Sequence, residues 1–282
     1  MLKVSVVIPT YNRVHLIKRA LDSVIHQTLP PEEIILVDDG STDNTSTFVK
    51  QNYPQVSLIF QENRGVSSAR NAGIKLAGAD WIALLDSDDE WHRNKLEMQC
   101  HALMSDPDYL ICHTNEQWIR NGKPLKQMKK HRKYGGDIFK YCLPLCVISP
   151  SSVLVHRSIF ENAGLFDETF PVCEDYELWL RICARFPVLF LDEPLINKYG
   201  GHAGQLSHKY WGMDRFRILA LEKIIADPQL RESDRYDAIN TMLDKINIYL
   251  NGARNRGNSL HVEHFNSLVR DYSPGIKYRK IC

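Results

Sequence analysis

The sequence predicts an α/β fold: a mostly parallel, Rossmann-like central sheet flanked by helices, with a C-terminal helical appendage. Three observations predict it. Short apolar runs alternate with segments of helical period between Val4 and Cys112, the pattern of strands joined by helical crossovers. The run from Trp81 to Leu85 is uninterrupted, as expected of a strand buried on both faces. Each run ends in polar or acidic residues, and in doubly wound sheets ligands bind beyond the carboxyl ends of the strands.

Val4 to Ile8 is the first strand, ending at Pro9-Thr10-Tyr11-Asn12-Arg13, because Pro9 cannot continue a central ladder. Asn12 can cap a helix that carries Leu16, Ile17, Ala20, Leu21, Val24 and Ile25 at helical spacing. Ile34 to Val37 is the second strand, running into Asp38-Asp39-Gly40-Ser41-Thr42-Asp43, where Ser41, Thr42 and Asp43 offer N-cap chemistry. Val56 to Phe60 is the third. The helix that begins near Val66 carries Ala69, Ala72 and Gly73, small enough to let it lie close to the sheet. Trp81 to Leu85 is the fourth strand. It stops at Asp86, and Asp88, Asp89 and Glu90 follow at once. Like charges crowded at a strand end repel one another, and a hard divalent cation would offset that. A solvated acidic turn capping a helix near His92 is the competing reading. This stretch alone does not choose between them.

Beyond it, a helix spans about Arg93 to Ser105, and Tyr109 to Cys112 is a short strand. The segment Arg120 to Lys133 is rich in Lys and Arg. It suits an anionic acceptor or a membrane surface, but a solvated loop is the favoured reading. Val147 to Val155 reads as a strand interrupted at Ser149-Pro150. Glu174 and Asp175 open a helix with apolar Leu178, Trp179 and Ile182, at the end where the helix dipole favours negative charge. A strand, Val188 to Leu191, leads into a glycine-rich loop, Tyr199 to Ser207, with His202 inside it. After Tyr210 two apolar stripes appear, Phe216, Leu219, Ile224, Ile225 and then Tyr236, Ile239, Leu243, Ile246, Leu250. They predict two or three helices packed on the main domain or on a partner. The end, Lys277-Tyr278-Arg279-Lys280, is basic and is expected to be mobile. The expected division is 1–115 for a nucleotide-binding half, 116–209 for an acceptor-binding half of the same domain, and 210–282 for the helical extension.

Composition narrows the function. The chain has 282 residues, 44% hydrophobic, and a formal net charge of +1, so no whole-molecule field selects nucleic acid. No apolar run approaches the roughly 20 residues of a membrane span. The chain enters a strand directly after Lys3, with no signal peptide expected. Seven scattered cysteines show no paired CxxC spacing, which points to reduced thiols and a cytoplasmic location.

Five motifs in order carry a resemblance: Val4 to Asn12, Val37 to Asp43, Asn63-Arg64-Gly65 with Ala69-Arg70-Asn71, Leu85 to Asp89, and Glu174-Asp175. With them the chain resembles inverting family 2 glycosyltransferases of the GT-A fold over about its first 210 residues. The resemblance implies a sugar moved from a nucleotide-diphosphate sugar, in the first instance a UDP-sugar, to an acceptor hydroxyl, in polysaccharide, lipopolysaccharide or other glycoconjugate biosynthesis. It implies that Tyr11 and the Asp38/Asp39 pair hold base and ribose, that Pro9, Thr10 and Arg13 also bind the nucleotide, and that Arg64 or Arg70 lies near it. Asp86 to Asp89 matches the DxD-type site. Asp86 and Ser87 would serve the nucleotide, and Asp88 and Asp89 would hold Mn²⁺ or Mg²⁺. His202 matches a late-loop residue that approaches the metal or diphosphate, although a loop histidine satisfied by backbone is an equal reading. Asp175 matches the catalytic base. The acceptor would be a glycan, a lipid-linked sugar or another hydroxyl compound. Peripheral association with the inner face of the membrane and oligomerisation through the C-terminal helices are compatible with this. The Gln/Arg-x-x-Arg-Trp motif and membrane helices of processive members are missing, which implies one sugar per encounter.

Other classes fit less well. A glycoside hydrolase leaves the nucleotide-type strand ends unexplained. A dinucleotide-binding oxidoreductase needs Gly-x-Gly-x-x-Gly after the first strand, where this chain has Pro-Thr-Tyr-Asn-Arg. A non-catalytic nucleotide-sugar-binding module is the remaining alternative.

Overall fold

The computed structural model describes residues 1–201 and 210–277. His202 and most of the glycine-rich loop lie outside the described residues, as does the basic terminus from Tyr278. Four parallel strands form the frame: β1 (Val4–Thr10), β2 (Glu33–Asp38), β3 (Ser57–Phe60) and β4 (Trp81–Leu84), in the spatial order β3-β2-β1-β4. Crossovers α1 (Ile17–Ile25), α2 (Thr45–Asn52) and α3 (Val66–Leu76) join them. The small residues of α3 matter as expected. A Cβ on Gly73 would stand 2.3 Å from Val7 Cγ1, so only glycine lets the helix lie this close to the sheet.

The sheet then departs from a purely parallel arrangement. After β5 (Glu90–Trp91), α4 (Lys95–Ser105), β6 (Ile111–Arg120), β7 (Lys123–Leu125) and α5 (Phe139–Cys142), the short β8 (Leu154–His156) inserts antiparallel between β4 and β6. It is followed by α6 (Arg157–Ala163), α7 (Glu174–Cys183) and β9 (Leu189–Gly200), which pairs parallel with β6 and antiparallel with β5. The expected strand at Val147 to Val155 is mostly not one. Pro150 opens a 3₁₀ turn, Pro150–Ser152, and pairing resumes at Leu154. β6 and β9 are longer than the sequence suggested, 10 and 12 residues. Their second halves carry polar residues such as Glu116, Gln117, Asn197 and Lys198, so no apolar run marks them. A bulge at Thr114 to Glu116 further breaks the period.

Two cores lie on the two faces of the sheet. Val6, Ile8, Ile34, Leu36 and Leu85 point to one face, against α1 and α4. Val7, Ile35, Val37, Ile82 and Leu84 point to the other, against α3 and α7. The second core continues without a break into α8 (Asp214–Ile225), α9 (Glu232–Asn255) and α10 (Val262–Lys277) through Leu221, Ile246 and Phe265.

Candidate active site

Because β1 lies between β2 and β4, the three strands deliver their carboxyl ends side by side on one rim. The end of β4 is the most highly charged. The Asp86 backbone N–H donates to Ser151 Oγ at 3.1 Å, and its Oδ1 accepts from Arg70 Nη2 at 2.7 Å. The same guanidinium donates through Nη1 to Glu174 Oε1 at 2.7 Å. Arg70 is 3% exposed, so the residue expected near the nucleotide is turned inside. It ties α3, the acidic loop and the first turn of α7 into one unit. Burial and neighbouring Asp175 push the Glu174 carboxyl up to about 7, against the pull of Arg70.

Asp88 and Asp89 diverge. Asp89 is buried, with Oδ2 accepting from Ser151 Oγ at 2.6 Å and Oδ1 from the Tyr199 N–H at 3.2 Å. Burial, then the Asp88 and Asp86 charges, raise its pKa well above the ordinary carboxylate value. Asp88 is half-buried, and its carbonyl accepts from Arg19 Nη2 at 2.5 Å. Arg19 in turn stacks 3.5 Å over the Tyr199 ring. The loop is therefore fastened to β9 directly at Asp89 and through Arg19 at Asp88. Ser87 is buried beneath it.

The nucleotide-side residues are equally constrained. Thr10 and Asp38 are register partners at the ends of β1 and β2. Asp38 accepts from the Ser41 N–H at 2.8 Å and from the Ser46 hydroxyl. Asp39 Oδ1 accepts from Gln61 Nε2 at 2.7 Å and the Arg64 N–H at 2.9 Å, and Oδ2 from the Gly65 N–H at 2.8 Å. Gly40 makes this possible: its φ is +83°, and a Cβ there would meet Asn63 N at 2.9 Å. Beside Pro9, the Thr10 Oγ1 is buried without a hydrogen-bond partner. Tyr11 stands exposed, and the Arg13 N–H donates to Thr45 Oγ1 at 3.0 Å. Arg64 lies on the surface, 3.3 Å from Glu168.

Asp175 sits in the first turn of α7, between Glu174, Tyr176 and Glu177, all buried; Asp175 itself is half-buried. Its Oδ1 accepts from the Tyr176 N–H at 2.7 Å and its Oδ2 from the Cys146 thiol at 3.4 Å. Sequence reasoning missed Lys198. Burial opposes its charge, but Glu116, Asp89, Asp86 and Asp175 outweigh that and raise its pKa. Its signal was weak: a lone lysine two residues after buried Ile196, in a strand whose apolar run ends too early. Among the described residues no three His, Cys, Asp or Glu side chains are grouped to hold a metal.

The model of Glycosyl transferase family 2 matches residues 5–164, more than half of the chain. The chain belongs to glycosyl transferase family 2. Among family 2 relatives, an Escherichia coli protein described as UDP-Glc:alpha-D-GlcNAc-diphosphoundecaprenol beta-1,3-glucosyltransferase is 33% identical over 64% of this chain and 69% of its own. The chain spans only 26% and 32% of the first two curated relatives it matches, both uncharacterized glycosyltransferases from Rickettsia species. The fold is the GT-A fold. Staphylococcus aureus TarS residues 1–349, in complex with UDP-GlcNAc, superposes with a TM-score of 0.74 at 20% identity, covering 96% of this chain and 80% of that one. A mannosyltransferase from Pyrobaculum calidifontis, in complex with GDP-Man and Mn²⁺, gives 0.62 at 17% identity over 99% and 84%. Among the described residues of this family 2 member, no helix is long and apolar enough to cross a membrane.

Proposed function

We propose that the chain transfers a single sugar from a UDP-sugar to an acceptor hydroxyl with inversion, assisted by Mn²⁺ or Mg²⁺, in polysaccharide or other glycoconjugate biosynthesis. The observation that carries this reading is the Arg70 bridge. One buried guanidinium holds the acidic loop through Asp86 and the turn bearing Asp175 through Glu174. A site for the leaving diphosphate and a carboxylate for the acceptor are thereby fixed relative to each other, which is what a single displacement requires.

The donor set suits a hard cation shared with substrate. Such a cation usually takes one or two carboxylates plus phosphate oxygens rather than a protein cage, and half-buried Asp88 offers a carboxylate, with Asp86 beside it. The like charge that raises Asp89 is what such a cation would relieve. Asp89, bonded to Ser151 and Tyr199, would act by holding the loop. Bound there, the cation would neutralise charge developing on the departing diphosphate. Lys198 would add a fixed positive charge on the same side.

Asp175 accepts the proton of the acceptor hydroxyl as its oxygen bonds to the anomeric carbon and the bond from that carbon to the diphosphate breaks. Asp175 lies in the first turn of α7, beside the positive end of that helix's dipole. Thr10, Asp38 and Asp39 shape the end of the cleft that receives base and ribose. The described specificity of the Escherichia coli relative and the TarS complex favour UDP as the nucleotide. A binding-only module would have no use for a half-buried carboxylate tethered opposite the acidic loop. A panel of nucleotide sugars, with NMR of the product's anomeric proton, tests the proposal. An α-linked UDP-sugar is expected to give a β-linked product. Retained configuration, or release of UDP with no glycoside formed on any acceptor, would contradict it.

A further inference from the structure

The segment Arg120 to Lys133 contains seven Lys or Arg residues and no Asp or Glu, in a chain whose formal net charge is only +1. The sequence alone favoured a solvated loop. The structure makes it a built surface. β6 runs in the same sense as β4, because β8 is antiparallel to both, so its end emerges on the rim that carries the acidic loop. The residue paired with Arg120 is Gly200, next to Tyr199, whose N–H reaches Asp89. From there the hairpin β6–β7 and the turn Lys129–His131 project outward. Lys133 anchors the base, buried 3.1 Å from Glu116 and donating to Val147 O at 2.8 Å. Gln127 Nε2 fastens the middle to Glu116 O at 2.7 Å.

Outside that anchor, Arg120, Lys123, Lys126, Lys129, Lys130 and Arg132 are all exposed. None makes an ion pair with an acid among the described residues. Between them Leu125 and Met128 are 46% and 57% exposed. A soluble polyanion would use the charges and leave the two apolar side chains in water. An anionic bilayer uses both, phosphates for the cations and the acyl boundary for the apolar side chains.

We propose that this hairpin is a docking surface for anionic lipid bilayers, which sets the catalytic rim against the membrane. The proposal concerns membrane binding alone and is read without donor or acceptor, so it stands or falls apart from the assigned reaction. The test is sedimentation of the full-length protein with vesicles of 30:70 phosphatidylglycerol:phosphatidylcholine and of pure phosphatidylcholine. Each cation near an anionic surface is worth about fivefold in partitioning. The combined change Lys126→Gln, Lys129→Gln, Lys130→Gln and Arg132→Gln is therefore expected to weaken binding to the anionic vesicles by about a hundredfold or more. Leu125→Ser with Met128→Ser is expected to weaken it severalfold at unchanged charge. An equal loss of charge elsewhere, Lys50→Gln, Lys75→Gln, Arg254→Gln and Arg270→Gln, is expected to have far less effect. Circular dichroism checks that each variant stays folded. Equal binding to both vesicle types, parent-like binding by the hairpin variant, or indifference to Leu125 and Met128 with tight binding to heparin instead would each overturn the proposal.

Discussion

Arg70 and Asp88 illustrate how differently two charged residues at one rim can be used. Arg70 is structural in its contacts: both arms are engaged, by Asp86 and Glu174, in a buried setting. Removing one partner from a buried ionic group leaves charge uncompensated and typically costs about 3–5 kcal/mol. Arg70→Met is expected to lower stability by that order in urea unfolding. Arg70→Lys should recover little of it, because an ammonium cannot span two carboxylates with a rigid fork. Full recovery by lysine would show that only the charge matters. Asp88 is half-buried in a crowded acidic loop. Asp88→Asn removes like charge, so the fold should be unharmed while Mn²⁺-dependent UDP affinity falls. Calorimetry with and without Mn²⁺ measures this, and unchanged metal-dependent affinity would move the cation elsewhere.

At the scale of elements, the parallel half was legible because each strand there is a mainly apolar run closed by turn chemistry. The rim was legible too, since Asp38, Asp39 and Asp86 terminate such runs. The second half was harder to read. β6 and β9 are long strands whose outer parts are half-buried and polar, and β5 is two residues. The Arg70 bridge was invisible because its acid partners lie 16 and 104 residues away. So was the inward turn of Asp89, since nothing local separates it from Asp88. The contact of α8 with the main domain illustrates the same distance problem. Lys223 Nζ reaches Asp167 Oδ2 at 2.6 Å and Glu177 Oε1 at 2.7 Å. Burial works against the Asp167 charge, but bonds from Lys223 and Thr169 outweigh it and hold the carboxyl down at about 2, from an ordinary 3.8. The folded state therefore binds fewer protons than the unfolded one between those values. The stability gained is complete above about pH 4 and is lost as pH falls toward 2. Asp167→Asn is expected to cost at most about 2 kcal/mol at pH 7 and roughly half that at pH 3. Denaturant unfolding at both pH values checks it, and an equal cost at the two would deny the ion pair this role.

For the whole molecule, the core on one sheet face extends unbroken into the three C-terminal helices. Cutting the chain after Tyr210 would strip from α7 and the adjoining core the cover that α8 to α10 provide. The truncated protein is expected to aggregate or oligomerise, although Thr10, Asp38, Asp39 and Asp88 all lie in the part retained. A monodisperse truncation with the parent's melting temperature would show that the helices are an independent unit. The same continuity makes α7 a rigid carrier, held by α8 on one side and by Arg70 on the other, and the reaction proposed here rests on the carboxylate it presents. The most direct test is Asp175→Asn, assayed for UDP–Mn²⁺ affinity and for turnover on the same preparation. If Asp175 is the base, affinity stays near the parent's while turnover falls by roughly 10²–10⁴-fold, the range for loss of a general base. Turnover within a few-fold of the parent, or a loss of UDP affinity in step with turnover, would contradict it.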